Sequence, residues 1–339
     1  MSCIVIFRFI ATILLVFIYS FIFLFVVLFG TLKYHLKYLC RQKPKIVKPA
    51  SLTDPKYGEH KYIKANNVKL HYVESGDPSK PLMLFIHGFP EFWYTWRHQI
   101  VEFNKEYRVV AINLRGYAGS DKPKGISSYK LDVLVEDVRD FIRNLGSSKC
   151  IIVSHDWGGI VASRFRDTYP ECVSGLVMFA SMCKESWQRD IWNNCKQHFG
   201  AWYTFFFLVP KLPEWWFEMG NLEVYEWIFK QEGKNVDEDT INCYKYTFSK
   251  PGSFTPPINY YRSVFSLTTK RNNIDNNVPM LVANAAKDSS LLPNLLNRMK
   301  EDYKYIETKL LEDCYHFFQE HEPELINKLI REFLVKHKL

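Results

Sequence analysis

Several common features are absent from this 339-residue chain, and each absence excludes a class of protein. No Asn-x-Ser/Thr acceptor occurs, which argues against a domain folded in a glycosylating lumen. None of the eight cysteines forms a CxxC pair, and their spacing matches no zinc pattern, so we expect reduced thiols and no bound metal. No nucleic-acid-binding motif accompanies the formal net charge of +8.

Charged residues are also absent between Phe9 and Gly30, where nearly every residue is large and apolar. Such a run can cross a bilayer hydrocarbon core of roughly 30 Å. It is too long for the apolar region of a signal peptide, and no small-x-small cleavage site follows it. We therefore predict an uncleaved signal-anchor, a transmembrane helix over about residues 9–30, instead of a cleaved leader.

The basic residues are concentrated immediately after this run, whereas only Arg8 precedes it. No acidic residue occurs before Asp54. By the positive-inside rule, the C-terminal side of the segment faces the cytosol. This charge distribution predicts a single-pass protein of an internal membrane, such as the endoplasmic reticulum, with a cytosolic domain. The basic residues on the C-terminal side are Lys33, Lys37, Arg41, Lys43, Lys45 and Lys48.

The rest of the chain alternates strand-like and helix-like patterns, which is typical of an α/β fold with a mostly parallel sheet covered by helices. We predict an anchor over 1–40, a basic tether over 41–57, a core over 58–182 and 276–339, and a helical cap over 183–275. The cap region is dense in Trp, Tyr and Phe and lacks the strand-like patterns found elsewhere in the chain. The predicted strands are Val68–Val73, Leu82–Ile86, Tyr107–Asn113, Cys150–Val153, Gly175–Ala180, Pro279–Ala283 and Tyr305–Leu311, and the predicted helices include Leu131–Leu145, Gly159–Tyr169 and Pro323–Val335.

The segment Ser154-His155-Asp156-Trp157-Gly158-Gly159 joins the strand Cys150–Val153 to a helix. A strand, a tight turn with small residues and a helix form the nucleophile elbow of α/β-hydrolases. Asp156 stands where an esterase carries serine. An alkylated carboxylate is an ester that a histidine-activated water can cleave, whereas an alkylated serine is an ether that it cannot. Asp156 therefore predicts attack on an electrophilic carbon, as in an epoxide or a haloalkane.

A nucleophile of this kind needs a base and an orienting acid, which follow it in the order acid, then histidine. His316 comes after the last predicted strand, whereas His321 is close to the terminal helix and His337 is near the chain end. Asp288 lies just beyond the preceding strand, with Asp275 as the alternative. We predict that His316 is the general base and that Asp288 orients its ring.

Stabilisation of the tetrahedral intermediate requires two N–H donors. The loop His87-Gly88-Phe89-Pro90 follows a buried strand, and such a glycine-containing loop supplies one donor. The residue after the nucleophile supplies the other. The backbone N–H groups of Phe89 and Trp157 are therefore the predicted oxyanion hole.

Taken together and in this order, the motifs of the chain resemble those of an epoxide hydrolase of the α/β-hydrolase superfamily, over about residues 55–335. The membrane segment makes the resemblance closest to the membrane-anchored animal epoxide hydrolase-like proteins. It implies conversion of an epoxide to a diol without metal or organic cofactor. The motifs are His87-Gly88-Phe89-Pro90-Glu91, Arg115-Gly116-Tyr117, His155-Asp156-Trp157-Gly158-Gly159, Asn259-Tyr260-Tyr261-Arg262 and Cys314-Tyr315-His316.

The resemblance also implies two phenolic proton donors for the epoxide oxygen. The family's Asn-aromatic-Tyr-Arg stretch places one on Tyr261, with Tyr260 as the alternative. The other lies in an aromatic segment of the cap before a proline, which here gives Tyr203, before Pro210. Phenols can protonate the oxygen without bringing charge into an apolar pocket.

The chain departs from the family pattern at positions near the expected site. Ser154 replaces a glycine at the start of the elbow, Asn113 replaces an aspartate, and Ala118 replaces a glycine. Tyr315 replaces a glycine directly before the histidine, where a larger side chain would shift the loop that carries His316.

Membrane location and aromatic composition favour lipophilic substrates, such as epoxides of unsaturated fatty acids, and a place in lipid metabolism. The aromatic residues of the cap are explained equally well by packing of its helices. A haloalkane dehalogenase would use the same Asp156 and His316 but would need N–H donors for a halide. A membrane-tethered lipid-binding protein with a retained hydrolase fold is a non-catalytic alternative. No feature of the sequence indicates an oligomeric state.

Overall fold

The computed structural model describes the chain in five segments. Residues 10–22 are helical (α1) and are the described part of the predicted membrane anchor. The rest of that anchor and residues 41–45 of the predicted tether lie outside the described residues. Within the described segments, no helix combines the length and the apolar character needed to cross a membrane. The described segments are 10–22, 46–230, 236–264, 277–303 and 305–339.

An eight-stranded sheet lies at the centre, with the strand order β1-β2-β4-β3-β5-β6-β7-β8. β2 is antiparallel to both of its neighbours, and all other adjacent pairs are parallel. The central strands β3 and β5 are buried along their whole length, which explains their almost continuous apolar sequences. The strands are β1 (Glu59–Ala65), β2 (Val68–Ser75), β3 (Leu82–Ile86), β4 (Arg108–Ile112), β5 (Cys150–His155), β6 (Val173–Phe179), β7 (Met280–Ala285) and β8 (Ile306–Leu311).

Helices follow most of the strands, and a run of helices separates β6 from β7. The helices outside that run are α2 (Arg97–Phe103), α3 (Leu131–Asn144), α4 (Trp157–Thr168), α12 (Leu295–Asp302), α13 (Phe318–His321) and α14 (Pro323–His337). The run between β6 and β7 contains α5 (Lys184–Asn193), α6 (Cys195–Gly200), α7 (Trp202–Phe206), α8 (Leu212–Glu218), α9 (Val224–Phe229), α10 (Glu238–Phe248) and α11 (Thr255–Val264).

The predicted α/β architecture and strands are confirmed, with boundaries displaced by at most two residues. The prediction missed β1, because this edge strand is polar and mostly exposed. Residues 50–57, within the predicted tether, form two short 3-10 turns that bury Leu52 and Tyr57. Packing against the domain therefore begins before residue 58.

Candidate active site

Asp156 lies in the sharp turn between β5 and α4. Its backbone has φ 47° and ψ −120°, a conformation that residues other than glycine rarely adopt. The turn depends on small neighbours: a Cβ atom on Gly158 would lie 2.3 Å from the Ile86 carbonyl oxygen, and one on Gly159 would lie 2.2 Å from Ser181 Oγ. These close approaches explain the elbow sequence and present the Asp156 carboxylate at the carboxyl edge of the sheet.

The loop after β3 lies against this carboxylate. A Cβ atom on Gly88 would lie 2.5 Å from Asp156 Cβ, so glycine is required for the approach. The Phe89 N–H donates to Asp156 Oδ1 at 2.9 Å, and the Trp157 N–H also donates to this side chain. Both predicted oxyanion donors therefore meet at Asp156.

His316 lies between two carboxylates. Its Nδ1 donates to Asp288 Oδ2 at 2.6 Å, and its Nε2 is 3.8 Å from Asp156 Oδ2. Asp288 is held in turn, because its Oδ1 accepts from the N–H groups of Ser290 and Leu291 at 2.7 and 3.0 Å. The structure thus brings together the predicted nucleophile, base and orienting acid.

His316 and Asp156 face each other, and both have shifted pKa values. Burial alone would lower the pKa of His316, but the charges of Asp288 and Asp156 overcome this effect and raise it to about 9. Burial raises the pKa of Asp156, while His316 and the two backbone N–H groups counteract the increase. The resting site therefore holds His316 as a cation beside the Asp156 carboxylate at neutral pH.

A small cavity of about 20 Å³ lies beside Asp156, with the two predicted phenols in its wall. The ring centroids of Tyr203 and Tyr261 are 6.0 Å apart, and Tyr261 packs edge-on against Trp157 at 4.9 Å. Tyr260 points elsewhere, since its hydroxyl donates to the Arg115 carbonyl at 2.7 Å. The cavity is lined by Asp156, Trp157, Ile160, Met182, Lys184, Trp187, Tyr203, Thr204, Tyr261, Val264 and Leu291.

Both phenols remain protonated at physiological pH. Burial, together with the nearby Asp156 carboxylate, raises the pKa values of Tyr203 and Tyr261 far above their ordinary range. Arg262 connects the helices that carry them: its guanidinium donates to the Phe207 and Val209 carbonyls just beyond α7. This bridge fixes the tyrosine of α11 relative to the tyrosine of α7.

A buried ion pair that sequence reasoning did not assign supports the site. Glu91 accepts a hydrogen bond from the Gly88 N–H at 2.7 Å and another from His155 Nδ1 at 2.8 Å. The opposite nitrogen of His155 donates to the His316 carbonyl at 3.0 Å. Glu91 belongs to the same motif as Phe89, and His155 belongs to the same motif as Asp156. This placement was the sequence signal that could have identified the pair.

Three of the four departures from the family pattern are accommodated locally. The Ser154 hydroxyl donates to the Val177 carbonyl at 3.1 Å. The Asn113 amide nitrogen donates to His71 Nδ1 at 2.8 Å. Tyr315 packs near the Lys287 ammonium, 5.6 Å from its ring centroid, and His316 still reaches its acid.

The alternative residues are placed away from these contacts or are not described. His321 Nε2 donates to the Phe229 carbonyl at 3.1 Å, and His337 pairs with Glu307 at 2.6 Å. Asp275, the alternative orienting acid, lies outside the described residues. The described contacts therefore favour His316 and Asp288.

Comparison with known proteins agrees with this geometry. The family model of the alpha/beta hydrolase fold matches residues 81–323. The chain is 40% identical to epoxide hydrolase 1 of Caenorhabditis elegans, over 83% of this chain and 71% of that protein, and 36% identical to epoxide hydrolase 4 of Mus musculus, over 84% and 82%. A crystal structure of a variant of an epoxide hydrolase from Bacillus megaterium, complexed with a naphthyloxy-propanediol product, superposes with a TM-score of 0.75 and 32% identity, covering 81% of this chain and 99% of that one. The chain therefore belongs to the epoxide hydrolases of the α/β-hydrolase superfamily.

Proposed function

We propose that this protein converts lipophilic epoxides to diols through a covalent ester on Asp156. The proposal rests on the groups that surround the Asp156 carboxylate. Asp156 Oδ1 accepts the Phe89 N–H, Asp156 Oδ2 faces His316, and Tyr203 and Tyr261 line the adjoining cavity. This cavity is thus surrounded by a nucleophile, its oxyanion donors, a base and two acids for the leaving oxygen.

In the first step, Asp156 Oδ2 forms a bond to an epoxide carbon while the bond from that carbon to the ring oxygen breaks. The ring oxygen takes a proton from Tyr203 or Tyr261. Asp156 Oδ1 stays on the backbone N–H donors and becomes the carbonyl oxygen of a hydroxyalkyl ester. The resting His316 cation supplies the proton that restores the tyrosine.

In the second step, the neutral His316 takes a proton from water, and the hydroxide attacks the carbonyl carbon of the Asp156 ester. Esterification has removed the carboxylate charge that helped to raise the pKa of His316, which favours the neutral base at this stage. The Phe89 and Trp157 N–H groups stabilise the oxyanion. Collapse expels the diol alkoxide, which takes the proton of the new carboxyl group.

Apolar side chains make up much of the cavity wall, which supports a lipophilic substrate. The Bacillus megaterium neighbour binds an aryloxy diol as its product, so a related pocket accepts a large apolar group. Epoxides of unsaturated fatty acids fit both the apolar wall and a membrane location, and we propose them as the substrate class.

We also propose that the N-terminal segment anchors the protein in the endoplasmic reticulum membrane with the domain in the cytosol. The uncharged run over residues 9–30 and the basic residues after it support this orientation. An exposed aromatic side chain of the cap helix α9 supports a membrane-facing surface. Trp227 is 69% exposed, and tryptophan favours the membrane–water interface.

The reaction is tested by diol formation from a panel of lipid and aryl epoxides by the purified protein, beside Asp156→Ala. Diol from the wild type and none from Asp156→Ala would support both the reaction and the nucleophile. Halide released from a chloroalkane in the absence of diol would favour a dehalogenase instead. A folded wild type that forms no product would favour the lipid-binding alternative. For topology, full protection of the domain from protease in intact microsomes would contradict a cytosolic location.

A further inference from the structure

The chain that follows His316 is packed against the cap. Phe317 lies against Phe229 of α9, with ring centroids 5.2 Å apart, and His321 Nε2 lies 3.1 Å from the Phe229 carbonyl oxygen. Residues 316–321 are called the base segment below. One cap helix therefore contacts this segment near both of its ends.

Glu320 connects the base segment to the cap and to the core at once. Its Oε1 accepts a hydrogen bond from the hydroxyl of Tyr244, on the cap helix α10, at 2.7 Å. Its Oε2 accepts another from Nη1 of Arg97, on the core helix α2. The side chains of Glu320 and Tyr244 are fully buried, and only 5% of the Arg97 side chain is exposed. Each carboxylate oxygen is thus bound by a different part of the domain.

This contact is fixed on its core side and is costly to break. Arg97 Nη1 also donates to the Tyr94 carbonyl at 3.3 Å, and its guanidinium carbon lies 4.7 Å from the centre of the Tyr94 ring. Burial raises the pKa of Glu320, while Arg97 and Tyr244 counteract the increase. A buried carboxylate that loses one of these donors pays the desolvation cost of the unpaired oxygen. The native contact therefore favours one placement of α10 against the base segment.

The function of His316 depends on where its ring lies. Its Nδ1 donates to Asp288 at 2.6 Å, and its Nε2 lies 3.8 Å from Oδ2 of Asp156, the oxygen that would form the ester. α13 begins two residues after His316, so a displacement of Glu320 reaches the ring through a short length of chain. A displacement of about 1 Å at a reacting group can lower a rate about 10²-fold.

We propose that Glu320 is a positioning residue, which together with Tyr244 and Arg97 holds His316 in place for hydrolysis of the ester. This inference rests on the proposed epoxide hydrolysis, in whose second step His316 is the base. Glu320 acts through the base segment and not on the substrate. The phenols and the nucleophile belong to α7, α11 and the elbow, so the contact affects ester hydrolysis much more than ester formation.

The test measures the rates of ester formation and ester hydrolysis separately, by rapid quenching and mass spectrometry of the Asp156 peptide. Tyr244→Phe, which removes one hydroxyl, should slow ester hydrolysis about 10-fold, within the loss that a small displacement causes, with little change in ester formation. Glu320→Ala should cost more. Glu320→Gln, whose amide oxygen can still accept from Tyr244, should recover part of that loss. In the Glu320→Ala background, Tyr244→Phe should have little further effect, because the two residues act as one unit.

Tyr107→Phe and Glu74→Gln are the matched controls. The Tyr107 hydroxyl donates to the Leu339 carbonyl at 3.0 Å, and Glu74 is a buried carboxylate paired with Arg108 at 2.6 Å. Tyr107 and Arg108 stand at the amino end of β4, whereas Asp156 lies at the carboxyl edge of the sheet. Each control removes a partly buried polar contact far from the base segment, so the ratio of the two rates should equal that of the wild type.

A second readout does not require turnover. The Nδ1 proton of His316 lies in the hydrogen bond to Asp288, and its NMR resonance is sensitive to the geometry of that bond. The resonance should move in Tyr244→Phe and Glu320→Ala but not in the controls. An unchanged resonance, or a wild-type ratio of the two rates, in folded Tyr244→Phe would overturn the positioning role. If the wild type still forms diol, only the inference fails. If the wild type forms no diol, the proposed function fails, and a shifted resonance would still show that Tyr244 positions His316.

Discussion

Glu91 Oε2 and His155 Nδ1 lie 2.8 Å apart, and both side chains are fully buried. Burial alone would raise the pKa of Glu91, but His155 and the Gly88 N–H lower it to about 2, so the carboxylate is charged. The Nδ1 of His155 faces this carboxylate, and its Nε2 lies 3.0 Å from the His316 carbonyl oxygen. This ion pair connects the oxyanion loop, the elbow and the backbone of His316.

We predict that Glu91→Gln lowers kcat at least 10-fold and destabilises the protein by about 3 kcal/mol, since removing one member of a buried ion pair leaves the other uncompensated. Urea unfolding and steady-state kinetics provide the measurements. Glu102→Gln is the control, because Glu102 pairs with Arg331 at the surface and lies outside this network. Equal unfolding free energies for the two variants would contradict the assigned role of the pair.

The paired phenols predict an effect on ester formation. Tyr203→Phe and Tyr261→Phe should each slow this step about 10-fold or more, and the double variant should slow it about 10²- to 10⁴-fold. Single-turnover tryptophan fluorescence can follow the step, since Trp157 packs against Tyr261. Tyr260→Phe loses a hydrogen bond to a backbone carbonyl and should cost about 1 kcal/mol of stability while leaving the rate of ester formation unchanged. Normal ester formation in the double variant would exclude the phenols as acids.

The position of Asp156 Oδ1 predicts where the oxygen of water goes. In the proposed mechanism hydroxide attacks the carbonyl carbon, so the diol should carry Oδ2 of Asp156 and the enzyme should retain the oxygen of water. One turnover in ¹⁸O-labelled water should therefore place the label in the peptide that contains Asp156. Mass spectrometry of that peptide and of the diol gives the answer. Label in the diol after a single turnover would mean that water attacks the epoxide directly.

The charge of Asp156 raises the pKa of His316, and in the proposed mechanism esterification removes that charge. Ester hydrolysis should therefore increase with pH with a midpoint below about 9, the pKa of His316 in the resting site. The rate of ester hydrolysis increases with pH because His316 must be neutral to accept a proton. Rates of ester decay measured from pH 5 to pH 10 give the kinetic midpoint, and an NMR titration of His316 in the free enzyme gives its resting pKa for comparison. A kinetic midpoint at or above the resting pKa would contradict it.

The elbow and its partners were predictable because they follow motif and chain order. Asp156 directly follows β5, and Asp288 and His316 lie in the loops after β7 and β8, so the parallel strands bring all three to the carboxyl edge of the sheet. The Glu91–His155 pair was not predictable as a contact, because its members are far apart in sequence and either fits a surface role.

Buried neutral histidines predict a loss of stability in acid. Burial lowers the pKa of His71 to about 3 and that of His87 to about 4. His71 Nδ1 accepts from the Asn113 amide, and His87 Nε2 accepts from the Leu114 N–H, so protonation would break each bond. The unfolded chain takes up these protons near pH 6.5, so the stabilisation is complete above that pH and is lost progressively as the pH falls toward 3.

The magnitude of this effect can be measured by urea unfolding of the wild type and of His71→Gln at pH 7.5 and pH 5.0. Each histidine that the native fold keeps neutral should cost the wild type about 1–2 kcal/mol over this interval. His71→Gln cannot take up the proton, so its unfolding free energy should fall less than that of the wild type by that amount. The charge of His316 acts in the opposite direction, because its raised pKa stabilises the fold at low pH and loses that effect as the pH rises through about 9. Equal losses for the two proteins would show that His71 is already protonated in the native fold at pH 5.0.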